Sequence, residues 1–173
     1  MSILDLSGRG ALVVGGGQGM GRATALLLAQ AGANPVVVDL DQDRAEGVAA
    51  EIEALGRKRV GLSFDVTKPE GANEAIAEAE RATSQLDIVV NIVGGASWSP
   101  LLSVDDETWE RDFDVNLRHH LYVGRAAARN WVANERPGVL CVVASISGMF
   151  GAARHGAYGA AKAGFTPDLD AYN

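Results

Sequence analysis

The chain has 173 residues, of which 47% are hydrophobic and 21% charged, values typical of a folded globular domain rather than a disordered chain. Its formal net charge is −7. Because an acidic chain repels phosphate backbones, nucleic acid is not the expected partner. The length suits a single domain over residues 1–173.

No apolar run approaches the ~18 residues that a membrane-spanning helix needs, so we expect no membrane contact and a cytoplasmic location. The single cysteine, Cys141, cannot form an intrachain disulfide. It lies in an apolar run and is predicted to be a small core residue. With one cysteine and three histidines, no metal site is predicted.

Short apolar runs alternate with helix-like stretches along the chain. The predicted strands cover residues 11–14, 35–38, 60–64, 86–90 and 139–144. The predicted helices cover residues 21–31, 41–55, 69–84 and 105–134, the last in two pieces, and a further helix begins near Gly156. Strands joined by helices imply right-handed crossovers and a parallel sheet with helices on both faces. The pattern therefore predicts a doubly wound α/β fold.

A glycine-rich loop, residues 15–21, separates the first strand from the first helix. Its glycines fit the spacing G-x-x-x-G-x-G at Gly15, Gly19 and Gly21. The G-x-G-x-x-G fingerprint would need glycine where Met20 stands, and no lysine follows Gly21 as a P-loop requires. Glycines at this position let the backbone approach a pyrophosphate at a helix N-terminus. The alternative is a tight turn that binds nothing.

Asp39 follows the second predicted strand, 18 residues beyond Gly21. A carboxylate there can accept hydrogen bonds from both ribose hydroxyls of adenosine, and it repels a 2′-phosphate. Neither Gln18 nor Leu40 supplies a basic partner for such a phosphate. NAD is therefore predicted over NADP. The alternative role for Asp39 is a charge near the N-terminus of the next helix.

Four further polar residues occur in an order that suggests a catalytic site. Tyr158 and Lys162 are four residues apart on a predicted helix and so share a face. A nearby ammonium stabilises a phenolate and lowers its pKa, as acid–base catalysis requires. Ser145 lies 13 residues before Tyr158, and Asn116 lies in the preceding helix. The alternatives are a surface pair, a turn residue and a polar helix position.

These features, taken in order, resemble the short-chain dehydrogenase/reductase family over residues 6–165. The motifs that carry the resemblance are the glycine loop, Asp39, Asp65-Val66, Asn91-x-x-Gly94, Asn116, Ser145, Tyr158 and Lys162. The resemblance implies a Rossmann-type fold and hydride transfer between NAD and a secondary alcohol or ketone at a Ser-Tyr-Lys centre. It also implies a homo-oligomer, either a dimer or a tetramer.

The resemblance assigns Tyr158 as the acid/base, with Lys162 lowering its pKa and holding the nicotinamide ribose. It assigns Ser145 to orient the substrate oxygen and Asn116 to hold a water in a proton relay. Ser147 is a rival for the serine role, but the spacing favours Ser145. The implied cofactor contacts are Gly15, Gly17, Gln18, Gly19, Met20, Gly21, Asp39, Leu40, Asp65, Val66, Asn91, Gly94, Tyr158 and Lys162.

The family continues with a further strand–helix–strand unit, whereas residues 166–173 read as a polar tail without that pattern. The resemblance therefore predicts a C-terminally truncated member whose fifth strand is an edge of the sheet. Two other functions stay open: an NADPH-dependent 3-oxoacyl reductase, and a truncated dinucleotide-binding protein with little or no turnover.

Overall fold

The computed structural model describes residues 5–164, so the predicted tail over residues 166–173 lies outside the described residues. The strands are β1 (Gly10–Val14), β2 (Asn34–Asp39), β3 (Gly61–Ser63), β4 (Leu86–Asn91) and β5 (Val139–Val142). The helices are α1 (Gly19–Gln30), α2 (Gln42–Ala54), α3 (Pro69–Thr83), α4 (Asp106–Phe113), α5 (His119–Ala133) and α6 (Gly156–Ala163). A π-turn, Asp114–Arg118, joins α4 to α5, and a 3-10 turn, Ile146–Gly148, follows β5.

The five strands form one parallel sheet in the order β3-β2-β1-β4-β5. The predicted parallel α/β fold is confirmed. In this register Val14 pairs with Val38 on one side and with Asn91 on the other. Asn91 in turn pairs with Val142. The carboxyl ends of these strands therefore meet along one edge of the sheet, where ligands of open α/β sheets bind.

Alternating side chains of the central strands are buried on both faces of the sheet. Val13 and Val37 pack against apolar residues of α1 and α2. Leu12 and Val36, which point to the opposite face, are equally inaccessible to solvent. This double burial explains why the central strands read as unbroken apolar runs.

Local signals account for where the helices begin. Asp41, predicted as the first residue of α2, instead caps it, because its carboxylate accepts a hydrogen bond from the Arg44 amide at 3.1 Å. Asp105 caps α4 in the same way through the Thr108 amide at 2.7 Å. Pro69 occupies the first turn of α3, where its missing N–H costs nothing.

β5 differs from the other strands in its exposure. It is the last strand of the described sheet, with β4 as its neighbour. Val139 is 61% exposed, and Cys141 is exposed as well. The prediction that Cys141 is a core residue is therefore wrong. An apolar run predicts a strand, but it does not show whether that strand is central or at an edge.

The described residues form two compact units. The first, residues 5–92 and Tyr122–Val142, contains the whole sheet. The second, Val93–Leu121 and residues 143–164, contains α4, the two short turns and α6. The predicted single domain stays a prediction. Within residues 5–164, no helix has the length and apolar character that crossing a bilayer demands.

Gly138, which precedes β5, lies directly against the indole of Trp131. A Cβ on Gly138 would lie 1.9 Å from the Trp131 Cε2 atom. The indole has little room to move, because it is buried and its Nε1 donates to the Leu86 carbonyl at 2.8 Å. Gly47, within α2, offers a matched control, since no atom lies within 4 Å of its hypothetical Cβ.

We expect Gly138→Ala to lower the free energy of unfolding by about 1–3 kcal/mol through overpacking. Gly47→Ala is expected to raise it by about 0.5–1 kcal/mol, because alanine favours the helix. Urea denaturation of both variants checks the pair. Equal stability of Gly138→Ala and the parent chain would show that the indole is not held where we describe it.

Candidate active site

The glycine loop joins β1 to α1 as a tight turn. The Gly15 and Gly16 amides both donate to the Val38 carbonyl of β2, at 2.8 and 3.0 Å. Gly15 and Gly19 have φ values of +78° and +53°, which favour glycine over residues with a side chain. The loop is thus fixed to the carboxyl edge of the sheet, and α1 begins there.

Two close approaches show why side chains are excluded from the loop. A Cβ on Gly21 would lie 1.9 Å from the Gly15 carbonyl oxygen. A Cβ on Gly16 would lie 2.9 Å from Val37 Cγ1. By contrast, nothing lies within 4 Å of a Cβ on Gly19. Backbone at the start of α1 is therefore open to a ligand, while the rest of the turn is packed against the sheet.

Asp39 ends β2 and is hydrogen-bonded to the glycine loop. Its Oδ2 accepts from the Gly17 amide at 2.9 Å, and its Oδ1 accepts from the Asp41 amide at 3.2 Å. These bonds hold the carboxylate beside the loop. Each oxygen keeps a second lone pair with which to accept a hydroxyl proton.

A cation that the sequence pattern did not reveal lies near the same loop. A Cβ on Gly17 would approach the Arg44 Cβ to 2.7 Å. The Arg44 Nε atom pairs with Asp41 Oδ2 at 3.3 Å. The prediction considered only the loop and the residues directly after Asp39, whereas α2 carries Arg44 back toward the loop. The three-residue spacing of Arg44 from Asp41 on the predicted helix was the sequence feature that could have indicated this position.

The other predicted cofactor residues of the first unit lie at or near the carboxyl edge of the sheet. Asp65, just after β3, is exposed, and its Oδ1 accepts from the Thr67 amide at 2.9 Å. Val66 is buried. Asn91 ends β4 and is fully buried. Gln18, Met20 and Leu40 are exposed.

In the second unit, Ser145 lies three residues beyond β5, which is two residues further than the predicted strand end at residue 144 implies. Ser145 caps the 3-10 turn, because its Oγ accepts from the Ser147 amide at 3.1 Å. The two serines that compete for one role therefore differ in their surroundings. The Ser147 hydroxyl is engaged with His155 Nδ1 at 3.1 Å.

Tyr158 and Lys162 lie one turn apart on α6. Lys162 is only 3% exposed, and its Nζ donates to the Val143 carbonyl at 2.9 Å. Burial lowers the pKa of Lys162. Since Val143 is two residues before Ser145, this bond brings the lysine to the segment that carries the serine. Tyr158 is half-buried, and its ring lies 5.9 Å from that of His155 in an edge-on arrangement.

Asn116 lies in the π-turn and is fully buried. Its Oδ1 accepts from the Gly95 amide at 3.0 Å, and its Nδ2 donates to the Gly95 carbonyl at 2.6 Å. Nδ2 also donates to the Asp112 carbonyl at 2.9 Å. The side chain therefore holds the loop that follows Gly94. π-turns of this kind are frequent at functional sites.

Asp112 provides a second anchor for the same loop, and the sequence analysis did not single it out. The carboxylate is 3% exposed and accepts from the Ser97 amide at 3.2 Å and from the Ser97 hydroxyl at 2.6 Å. A buried carboxylate is tolerated only when it is hydrogen-bonded in this way. Asp112 and Asn116, four residues apart, thus fix two positions of one loop, Ser97 and Gly95.

His119 and His120, which follow the π-turn, are both buried. Their ring centroids lie 3.9 Å apart. Burial and the Lys162 charge lower the pKa of His119 to about 4. Burial, His119 and Lys162 lower the pKa of His120 to about 2. Both imidazoles are therefore neutral at pH 7. Among residues 5–164, no group of three or more potential ligands could hold a metal ion.

Comparison with known proteins places the chain in a family. The family model for short chain dehydrogenases matches residues 9–167. L-rhamnose 1-dehydrogenase (NAD(P)(+)) from Sphingomonas sp. (strain SKA58) is 33% identical over 160 residues, which cover 92% of this chain and 63% of that protein. (−)-trans-Carveol dehydrogenase from Rhodococcus erythropolis is 32% identical over an alignment of 173 positions. The match covers 92% of this chain and 62% of that protein.

Solved structures agree with the sequence comparison. A 7α-hydroxysteroid dehydrogenase complexed with NADH and 7-oxo glycochenodeoxycholic acid matches with a TM-score of 0.88 at 27% identity. The match covers 93% of this chain and 62% of that one. The chain thus spans less than two thirds of the length of the relatives named here.

The buried histidines give the folded chain a defined response to acid. Their folded-state pKa values lie below the usual 6.5, so the unfolded chain binds more protons as the pH falls below 6.5. We expect each histidine to cost about 1 kcal/mol of unfolding free energy per pH unit between pH 6 and pH 5. Carboxylates with lowered pKa values lose their contribution to the free energy of unfolding only below this pH range.

Urea denaturation at pH 7 and pH 5 checks this expectation. His120→Leu should reduce the loss of stability between the two pH values. Val123→Ala removes a buried, non-titrating side chain of the same helix and should leave the pH dependence unchanged. A parent chain equally stable at both pH values would contradict the neutral, buried state of the imidazoles.

Proposed function

Because the chain belongs to the short-chain dehydrogenase family, we propose that it transfers a hydride between NAD and a secondary alcohol or ketone. The observation that carries the proposal is the second unit, where buried Lys162 donates to the backbone two residues before Ser145. Tyr158 lies one turn from Lys162 on the same helix. Family membership supports an oxidoreductase, whereas the residue roles and the choice of NAD are our proposal.

The first unit fits the adenosine half of a dinucleotide. The start of α1 is open around Gly19, and a helix N-terminus attracts a pyrophosphate through its free amides and its dipole. The Asp39 carboxylate is held beside this loop by the Gly17 amide and would accept the ribose hydroxyls. Asp65 and Val66 would contact the adenine, and Asn91 would contact the cofactor further along the sheet edge.

When bound, NAD supplies the hydride acceptor or donor. In the oxidative direction Tyr158, as phenolate, accepts the hydroxyl proton of the alcohol; in the reverse direction its phenol donates a proton to the ketone oxygen. Lys162, one turn further along α6 and fixed by the Val143 carbonyl, would hold a positive charge on the same helix face as Tyr158 and would also contact the nicotinamide ribose.

Ser145 would orient the substrate oxygen and Asn116 would orient a relay water, and neither side chain would itself react. The Ser147 amide donates to Ser145 Oγ, which leaves the Ser145 hydroxyl proton to donate to the substrate oxygen. The Asn116 side chain is bonded to Gly95 and Asp112. A relay water at Asn116 would therefore contact its backbone carbonyl, and Gly94 would line the cofactor path.

The competing function is an NADPH-dependent 3-oxoacyl reductase, and one observation favours it. Arg44 lies against Gly17, on the side of the loop that carries Asp39. Its guanidinium could attract a 2′-phosphate. In the present arrangement Arg44 is paired with Asp41, and Arg22 in the first turn of α1 is paired with Glu51. Because both cations already pair with carboxylates and Asp39 repels a 2′-phosphate, NAD is the better fit. Cytoplasmic location and homo-oligomerisation stay predictions.

Tyr158→Phe tests the acid/base role. Without the hydroxyl, proton transfer is lost, so we expect turnover of a secondary alcohol to fall by a factor of about 10²–10⁴ while NADH binding is retained. Tyr122→Phe removes the hydroxyl of a half-buried tyrosine on α5 and should change neither quantity. Absorbance of the reduced nicotinamide measures turnover, and NADH fluorescence measures binding. Unchanged turnover in Tyr158→Phe would reject the assignment.

Cofactor choice is tested by titrating the chain with NAD and with NADP. We expect NAD to bind at least about tenfold more tightly, a difference of ~1.4 kcal/mol. Asp39→Ala should narrow this gap, because it removes the repulsion and the ribose contact together. Adding Arg44→Ala to Asp39→Ala should remove the gain in NADP affinity.

Asp43→Ala is the control for this titration, since Asp43 is an acidic residue in the first turn of α2 with no assigned cofactor contact. It should leave both affinities unchanged. Equal affinities for NAD and NADP in the parent chain would favour the 3-oxoacyl reductase instead.

A further inference from the structure

Two loops of the second unit expose large apolar side chains. Trp98 and Leu101, on the loop after β4, are 62% and 75% exposed. Ile146, Met149 and Phe150, in and just after the 3-10 turn, are 71%, 66% and 65% exposed. Single exposed apolar residues are ordinary, whereas a group of them on neighbouring segments marks a binding surface.

His155 ties the two loops together. Ser99 forms a parallel backbone bridge with His155, and the Trp98 ring centroid lies 4.4 Å from that of His155. From the other loop, the Ser147 hydroxyl lies 3.1 Å from His155 Nδ1. Both loops therefore contact the same residue. We call this surface, residues 98–102 and 146–150 around His155, the apolar rim.

The apolar rim adjoins the proposed reacting groups. The His155 ring meets the edge of the Tyr158 ring at 5.9 Å. The Ser147 amide, next to the hydroxyl that His155 engages, donates to Ser145 Oγ. A substrate whose oxygen reaches Ser145 and Tyr158 can therefore place the rest of its body against the rim.

The Trp98 loop is held in place before any ligand arrives. Asn116 bonds both backbone groups of Gly95, and buried Asp112 accepts two hydrogen bonds from Ser97. Trp98 follows directly, so its backbone is fixed although its indole is exposed. A preorganised aromatic side chain loses little conformational freedom when a ligand covers it.

The rim also lacks the groups that a sugar, polyol or anionic substrate requires. Residues 98–102 and 146–150 contain no charged side chain. The nearest charges along the chain are Asp105 and Arg154. Sugar hydroxyls need an array of donors and acceptors, and phosphates need cations. The two segments offer the hydroxyls of Ser99 and Ser147, and the Ser147 hydroxyl is already engaged with His155 Nδ1.

We propose that the apolar rim binds the uncharged, alicyclic body of a ketone or secondary alcohol, with Trp98 as its principal contact and His155 as the positioning residue that holds the two loops together. The inference rests on the proposed function, because it takes Ser145 and Tyr158 as the groups that meet the reacting oxygen. It selects one chemistry from the two that the named relatives represent, a monocyclic terpene alcohol and a sugar.

The test uses the 173-residue chain with a neutral bicyclic ketone, 2-decalone, its alcohol 2-decalol, and the polyol sorbitol. Equilibrium dialysis measures binding of 2-decalone, and absorbance of the reduced nicotinamide measures turnover of 2-decalol and sorbitol with NAD. We expect saturable binding of 2-decalone and at least about hundredfold higher kcat/KM for 2-decalol than for sorbitol.

Three variants separate the roles. Trp98→Ala should weaken 2-decalone binding by at least about tenfold and raise KM more than it lowers kcat, because the lost contact is distant from the reacting oxygen. His155→Phe keeps an aromatic ring but loses the Ser147 bond, and it should weaken binding less than Trp98→Ala. Val132→Ala, which trims a 79%-exposed apolar side chain of the first unit, should change nothing.

The outcomes distinguish this inference from the proposed function. Sorbitol turnover equal to or better than that of 2-decalol would overturn the inference while leaving the oxidoreductase standing. Saturable, Trp98-dependent binding of 2-decalone without turnover of any secondary alcohol would support the rim and reject the enzymatic proposal. Binding of 2-decalone that Trp98→Ala leaves unchanged, or no binding at the solubility limit, would overturn the inference.

Discussion

The close packing of the turn between β1 and α1 is the constraint on which the first unit depends. Gly21 lies so near the Gly15 carbonyl that a Cβ would sit 1.9 Å away, and the Gly15 and Gly16 amides are bonded to β2. This packing holds the first turn of α1 close to the carboxyl end of β1. Its N-terminal amides then lie at the carboxyl edge of the sheet, beside the Asp39 carboxylate that the Gly17 amide holds.

The second unit holds the polar groups that we propose to react in fixed places within a largely helical segment. It does so with buried polar contacts between side chains and backbone: Asn116 to Gly95, Asp112 to Ser97, and Lys162 to Val143. Each contact fixes one loop or strand end, and together they leave Tyr158 and the apolar rim accessible. Buried polar groups of this kind lower the stability of the fold unless they are fully hydrogen-bonded. Their hydrogen bonds to the backbone offset this cost and fix the loops of the proposed site.

The strands, the helices and the position of the glycine turn could be predicted because they depend on local spacing. Glycine spacing locates the turn, apolar periodicity locates the strands, and the separation of Tyr158 from Lys162 gives one helix face. Contacts between residues far apart in sequence could not be predicted in this way. Periodicity did not reveal that Arg44 returns to the glycine loop, that His155 joins two loops, or that the Cys141 side chain is exposed.

The central claim is that the open backbone of the glycine loop binds NAD with Asp39 at the adenosine ribose. Amide NMR of the isotopically labelled chain, titrated with NAD, tests it most directly. We predict saturable shifts at the amides of Gly17, Gly19 and Asp39, with little change at Gly47 and Gly56, which lie within and just after α2. Shifts absent from the glycine loop at saturating NAD would contradict the proposed cofactor site.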